Sequence, residues 1–129
     1  MVVSEIMTSN PVIIDVGRSV SDALDAMADL NVRHLPVVEE GQLSGMLSDR
    51  DFAVLRDKPG ALDSATIADL MSSDVASVDP ESDVSEVIDI MLDERVGAVP
   101  VVSAESLEIV GIVSYVDVLR SHASLLDDR

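Results

Sequence analysis

The sequence predicts a small α/β sandwich, an α+β fold made of two tandem β-α-β-β-α repeats. The first observation is internal repetition, since a shift of 64 positions aligns residues 7–38 with residues 71–102. The second is patterning, because each copy holds one stretch with apolar residues at helical spacing and several short β-branched runs. The third is length, because 129 residues suit one compact domain or two small units that share a core.

The alignment also places the repeat boundaries. Twelve of the 32 aligned positions are identical, and after a two-residue insertion residues 45–51 match residues 111–117. Pro59 and Gly60 are typical of a break between elements. We therefore predict a first repeat over 1–58, a linker over 59–65, a second repeat over 66–122 and a C-terminal tail over 123–129.

The first half of each repeat predicts a strand followed by a helix. A short apolar run, 12–14 or 75–78, predicts a strand. Apolar residues at i, i+3, i+4 and i+7 from Val20 and from Val84 then predict an amphipathic helix. Ser19, with Asp22 three residues later, is typical of a helix N-cap. Asp83 precedes the second helix in the same way.

The second half predicts two strands and a closing helix. The strands cover 35–38 and 43–47 in the first copy, and 99–102 and 109–113 in the second. Each copy has a proline in the first of these strands, which favours an edge strand or a strand start. The closing helices begin after Ser48 and Ser114.

Charge excludes several partners. The chain has 25 acidic and 8 basic residues, so its net charge of −17 opposes binding to nucleic acid or to anionic membranes. Asp outnumbers Glu by 17 to 8, and Lys58 is the single lysine. This acidic surface is typical of proteins adapted to concentrated salt and predicts unfolding below molar salt. An ordinary acidic protein would stay folded in dilute buffer.

Compartment and catalysis are both constrained by absences in the sequence. Without cysteine there is no disulfide, thiolate nucleophile or cysteine-ligated metal. No long apolar run or basic N-terminal stretch is found, and the expected compartment is the cytoplasm. His34 and His122 have no zinc-ligand spacing, and no phosphate loop or nucleophile elbow occurs. We therefore predict no metal site and no enzymatic activity.

Three sequence features together resemble the cystathionine β-synthase (CBS) domain. They are Met followed by Thr or Ser before the first strand, Val-Arg-His-Leu-Pro-Val-Val at 32–38, and Gly-x-x-Ser-x-x-Asp at 45–51 and 111–117. Two such repeats resemble a CBS pair, usually a sensor of adenosine ligands, over about residues 1–122. The resemblance implies a pair of clefts between the repeats, related by pseudo-two-fold symmetry.

The resemblance also implies the ligand contacts. Ser48 and Asp51 would contact phosphate and ribose in one cleft, and Ser114 and Asp117 in the other. A carboxylate can accept both hydrogens of a ribose diol, and a hydroxyl at a helix start adds a donor. Both pairs also fit a capping box, which needs no ligand. Further contacts implied by the resemblance come from Met46 and Ile112 beside adenine. The others come from the start of each repeat, which we call its leading segment (residues 7–14 and 71–78): Thr8 and Ile13 would contact the ligand in one cleft, and Ser72 and Ser77 in the other.

Cations distinguish the two copies. Arg33, His34 and Arg50 have Gly97, Ala98 and Val116 as their counterparts in the second repeat. Since arginine matches phosphate geometrically, we predict that Arg33 is the main phosphate contact and that His34 adds a pH-dependent one. Alternatively, Arg33 pairs with Asp29 on one helix face.

The predicted function is regulatory ligand sensing, including energy sensing, by binding AMP, ADP, ATP, S-adenosylmethionine or a related adenosyl compound. No cofactor is required. The resemblance implies a homodimer, for which Leu55 and Leu119 on the closing helices are candidate contacts, and a separate regulated protein that the sequence does not identify. The alternative is a structural or protein-interaction module with empty clefts, which Tyr115 within the second motif favours. A nucleotide-converting enzyme is a third, weaker option.

Overall fold

The computed structural model describes the backbone of residues 1–127 and the side-chain surroundings of residues 1–123. Two short 3-10 helices cover Val3–Glu5 and Asp49–Leu55. The other helices and strands are, in chain order, β1 (Thr8–Ser9), β2 (Ile14–Asp15), α1 (Val20–Leu30), β3 (His34–Glu39), β4 (Gln42–Ser48), α2 (Ala61–Ser64), α3 (Ile67–Leu70), α4 (Val84–Glu94), β5 (Ala98–Val102), β6 (Ile109–Ser114) and α5 (Tyr115–Asp127). This mixed helix and strand content confirms the predicted fold class.

The chain forms two compact units whose limits differ from those of the sequence repeats. One unit is Val12–Val75, and the other combines Met1–Pro11 with the chain from Ala76 onward. Each therefore contains the strands and long helix of one repeat together with the first part of the leading segment of the other. The predicted linker is not an irregular connection, because α2 lies within it. In the predicted tail, α5 continues to Asp127, and residues 128 and 129 lie outside the described part.

Each unit contains one three-stranded sheet, and the two sheets follow the same plan. In the Val12–Val75 unit the order is β2-β3-β4, with β2 parallel and β4 antiparallel to β3. In the other unit the order is β1-β6-β5, with both pairs antiparallel. Single bridges complete the correspondence, since Ser72 pairs with Met46 on β4 and Val78 pairs in parallel with Val101 on β5.

The prolines lie in strands that pair on both sides, which differs from the predicted edge position. Pro36 pairs with Met46, whose own backbone N–H and carbonyl both bond to Ser72 on the far side. The Pro36 nitrogen therefore faces away from β4, towards β2. Because β2 pairs with β3 only from Val37 onward, the missing N–H removes no ladder hydrogen bond.

Local capping sets the start of both long helices. Ser19 caps α1, where the Asp22 N–H donates to Ser19 Oγ at 3.0 Å and the Ser19 N–H donates back to Asp22 Oδ2 at 3.4 Å. Asp83 caps α4 by accepting from the Ser85 N–H at 3.0 Å. The predicted N-cap positions are therefore confirmed. The C-cap after α1 is Asn31, which adopts a left-handed conformation.

Aliphatic residues form a separate core in each unit. In the Val12–Val75 unit the most completely buried members include Val20, Ala23, Leu35, Val37, Leu47 and Ile67. In the other unit they include Val3, Val87, Val99, Val101 and Val113. The apolar helical stripes predicted from the sequence face these cores, with Met27 buried in the first and Met91 at the edge of the second. Ile88 of the predicted α4 stripe is the exception, because it is 37% exposed.

Candidate functional site

The first Gly-x-x-Ser-x-x-Asp motif lies where β4 passes into the 3-10 helix. Ser48 is the last residue of β4 and pairs with His34 at the start of β3. Its N–H donates to Asp51 Oδ2 at 2.7 Å, and both residues are partly buried. The structure brings Ser48, Asp51 and His34 together, and with Met46 and the neighbouring Arg33 and Arg50 we call them the first site.

The second motif repeats this arrangement where β6 passes into α5. Ser114 pairs with Ala98 and donates its N–H to Asp117 Oδ2 at 2.9 Å. Ser114 Oγ donates to the same oxygen at 3.1 Å, and the Asp117 N–H donates to Ser114 Oγ at 3.3 Å. The capping box predicted from the sequence is therefore present. Ser114, Asp117 and Ile112 form the second site.

Each site is flanked by the leading segment of the other repeat. In the first, the backbones of Met46 and Ser72 exchange two N–H to carbonyl hydrogen bonds of 2.9 Å. In the second, Thr8 of β1 pairs with Ile112 of β6. The leading segments divide at the unit limits, so Ile13 belongs to the first site's unit and Ser77 to the second's. A ligand-contact role for Thr8, Ile13, Ser72 and Ser77 stays a prediction.

The motif glycines have a role that the sequence pattern did not reveal. A Cβ at Gly45 would lie 2.6 Å from Met71 Sδ and 2.7 Å from the Ser72 carbonyl oxygen. A Cβ at Gly111 would lie 2.5 Å from Met7 Sδ and 3.1 Å from the Thr8 carbonyl oxygen. Glycine is therefore required for the leading segment to approach the strand. The available signal was the recurrence of Met-Thr/Ser and glycine at equivalent positions.

The predicted cations of the first site lie where the start of β3 meets the end of β4. The Asp49 N–H donates to the Arg33 carbonyl at 3.0 Å, which fixes Arg33 beside the motif. Arg33 and Arg50 are exposed. The alternative Arg33–Asp29 ion pair is wrong for this structure, because α1 ends at Leu30 and Arg33 lies beyond the helical face that the pairing requires.

The imidazole of His34 is half-buried and electrostatically coupled to its surroundings. Burial is the main cause that lowers the pKa of His34 below its ordinary value of 6.5, and the charges of Arg50 and Arg33 act in the same direction. The carboxylates of Asp49 and Asp51 oppose this shift. His34 is therefore mainly neutral at pH 7, with a ring nitrogen available to accept a proton.

These groups can perform recognition chemistry for a polar ligand of modest size. The motif aspartates offer carboxylate oxygens to hydroxyl donors, and Arg33 and Arg50 offer donors to an anion. Met46 is 8% exposed and Ile112 is partly buried, so each motif is preceded by an apolar side chain. No helix among the described residues is long and apolar enough to cross a membrane.

Two sheets of one plan, each ending in a Ser-x-x-Asp turn, define a duplicated α+β module. The CBS domain family model matches residues 3–56 and 67–124, so the chain belongs to the CBS domain family and carries the domain twice. The family expected from the sequence is thereby confirmed.

Individual relatives agree with this assignment. The chain is 29% identical to the CBS domain-containing protein YhcV of Bacillus subtilis, over 95% of this chain and 86% of that protein. It spans 47% of another relative, MJ1225 of Methanocaldococcus jannaschii.

Two solved structures resemble the whole chain and contain adenosyl compounds. The CBS domain pair of MJ0100, in complex with 5′-methylthioadenosine and S-adenosyl-L-methionine, matches with a TM-score of 0.84 and 28% identity, over 96% of this chain and 97% of that one. CBSX2 in complex with AMP matches with a TM-score of 0.81 and 26% identity, over 99% of this chain and 98% of that one.

Proposed function

We propose that this protein is a regulatory module that binds adenine nucleotides or related adenosyl compounds at its two Ser-x-x-Asp sites. The observation that carries the proposal is the duplicated, partly buried motif carboxylate, which lies beside an apolar residue in both units. Adenosyl compounds bound to MJ0100 and CBSX2, which share the fold over nearly the whole chain, support this ligand class.

The motif carboxylates suit ribose recognition. In each site the cap bond is made to Oδ2 of the aspartate. Among the described residues, none donates a hydrogen bond to Oδ1 of Asp51 or Asp117. Because an ionised carboxylate has about four lone-pair directions, the same side chain can cap the turn and accept from a ribose hydroxyl. Capping and ligand binding are therefore compatible roles.

At the first site, Met46 is the apolar residue that would contact adenine. The Met46 backbone N–H and carbonyl are both bonded to Ser72 and are not free for the base. The contact with Met46 is therefore made by its polarizable side chain, and base specificity has to come from other backbone groups. Arg33 and Arg50 would then bind the phosphates of a nucleotide.

Regulation requires that ligand binding alter assembly or partner contacts. We propose a homodimer and a separate regulated protein, consistent with energy sensing. Exposed apolar residues on the helices include Leu92 of α4, at 71% exposure, and Leu119 of α5, at 61%. Leu55 is a poorer dimer contact than expected, because it is partly buried against the core of its own unit.

Calorimetric titration with AMP and with S-adenosylmethionine tests the proposal. Wild-type protein should bind at least one of them saturably, and the Asp51→Ala/Asp117→Ala double variant should lose that binding. Asp22→Ala/Asp83→Ala is the matched control, because it also removes two capping carboxylates but leaves both motifs intact. Absence of binding to folded wild type, or equal loss in the control, would reject the proposal and favour the protein-interaction module.

A further inference from the structure

The two sites have equivalent backbones but different charges. In the first, the Asp49 N–H donates to the Arg33 carbonyl at 3.0 Å; in the second, the Tyr115 N–H donates to the Gly97 carbonyl at 2.9 Å. The same hydrogen bond thus identifies Arg33 and Gly97 as structurally equivalent positions. Their side chains can therefore be compared directly, because they occupy the same position in the two units.

The first site balances its negative charges locally. Arg33 and Arg50 provide two cations against the carboxylates of Asp49 and Asp51. The charges of all four groups influence His34, which indicates that they surround one location. An anionic ligand here meets exposed guanidinium groups in a chain whose net charge of −17 otherwise repels anions.

The second site has no such balance. Its counterparts to the cationic positions are Gly97, Ala98 and Val116, and Tyr115 replaces Asp49. Asp117 is then the one charged residue of the motif. The nearest cations along the chain lie outside it, with Arg95 at the end of α4 and Arg120 almost one turn beyond Asp117.

Resting on the proposed function, we propose that the two sites select different adenosyl compounds. The first takes a 5′-phosphorylated adenosine, and the second takes an adenosyl thioether or sulfonium that carries no phosphate. An unbalanced Asp117 in a chain of net charge −17 repels phosphate and attracts a sulfonium. The Tyr115 ring, 47% exposed, adds an aromatic face that attracts a cation.

Calorimetric titration of single-site variants at fixed ionic strength tests this selection. Asp117→Ala keeps the first site and should bind AMP at least about tenfold more tightly than 5′-methylthioadenosine. Asp51→Ala keeps the second site and should prefer 5′-methylthioadenosine and S-adenosylmethionine to AMP by at least about tenfold. If an alanine variant fails to fold, the corresponding asparagine variant replaces it, since the amide oxygen still accepts the cap bond.

Adding a cation to the second site gives an independent test. In the Asp51→Ala background, Val116→Arg should increase AMP affinity about three- to tenfold. Leu107→Arg adds the same charge at an exposed position in the loop between β5 and β6, at the end of these strands away from Ser114, and should leave AMP affinity unchanged. Equal AMP affinity at both single sites, or equal effects of the two arginine substitutions, would overturn the proposal that the sites select different compounds but would leave the proposed function standing. Absence of binding by all three compounds to folded wild type would overturn the proposed function as well.

Discussion

Replacing Gly45 by alanine puts a methyl group where the structure has no space for it. Its Cβ would lie 2.6 Å from Met71 Sδ and 2.7 Å from the Ser72 carbonyl oxygen. The methionine side chain can rotate away, but the carbonyl is backbone and can move only if the leading segment shifts. That shift breaks the two Met46–Ser72 hydrogen bonds. Gly45→Ala therefore separates the leading segment from β4.

Two costs and one smaller gain determine how far Gly45→Ala lowers the free energy of unfolding. Overpacking a dense site costs about 1–3 kcal/mol. Two backbone hydrogen bonds contribute about 0.5–1.5 kcal/mol each. Alanine also restricts the unfolded chain more than glycine does, which offsets about 0.5 kcal/mol of this cost. The free energy of unfolding should fall by about 1.5–5.5 kcal/mol, which for a chain of this length lowers Tm by roughly 6–22 °C.

Thermal and urea unfolding followed by circular dichroism measure this loss. Gly17→Ala is the matched control, because its Cβ would meet only Asp15 Oδ1, at 3.3 Å, on a side chain that can move. The control should change the free energy of unfolding by less than about 1 kcal/mol. Equal stability of the two variants would refute the assigned role of Gly45 as a close-approach residue.

Three further predictions follow from the same contacts. Gly111→Ala should destabilise less than Gly45→Ala in urea unfolding, because the Thr8 carbonyl lies at 3.1 Å from the added Cβ and Met7 can rotate away. Ser19→Ala should lower the free energy of unfolding by about 1 kcal/mol through loss of the α1 N-cap, and an unchanged urea midpoint would contradict this. Stability should decline as pH falls from about 6.5 through the lowered pKa of His34, because the unfolded state then binds more protons. His34→Gln should flatten that part of the stability–pH profile, and an identical profile would contradict the burial of the imidazole.

Features that depend on neighbouring residues in the chain were predictable from sequence. The Ser19 cap and the long helix that follows it are set within a few residues, so the pattern and the structure agree. The internal repeat and the family assignment were predictable for a different reason, because the two copies keep their motifs in register.

Features that depend on contacts distant in sequence were not predictable. β1 has only two residues, so no periodicity indicates that Thr8 pairs with Ile112 across the length of the chain. Pro36 favoured an edge strand or a strand start in the sequence, whereas its position opposite a short β2 permits pairing on both sides of β3. Leu55 matched an exposed helix position in the sequence, but its packing against the core decides its burial.

A crystal structure of the protein grown with AMP tests the central proposal most directly. The account predicts AMP at the first site, with its ribose hydroxyls within hydrogen-bond distance of the Asp51 carboxylate and its phosphate bound by Arg33. AMP bound elsewhere, or a first site without AMP at a concentration that saturates the calorimetric titration, would contradict it.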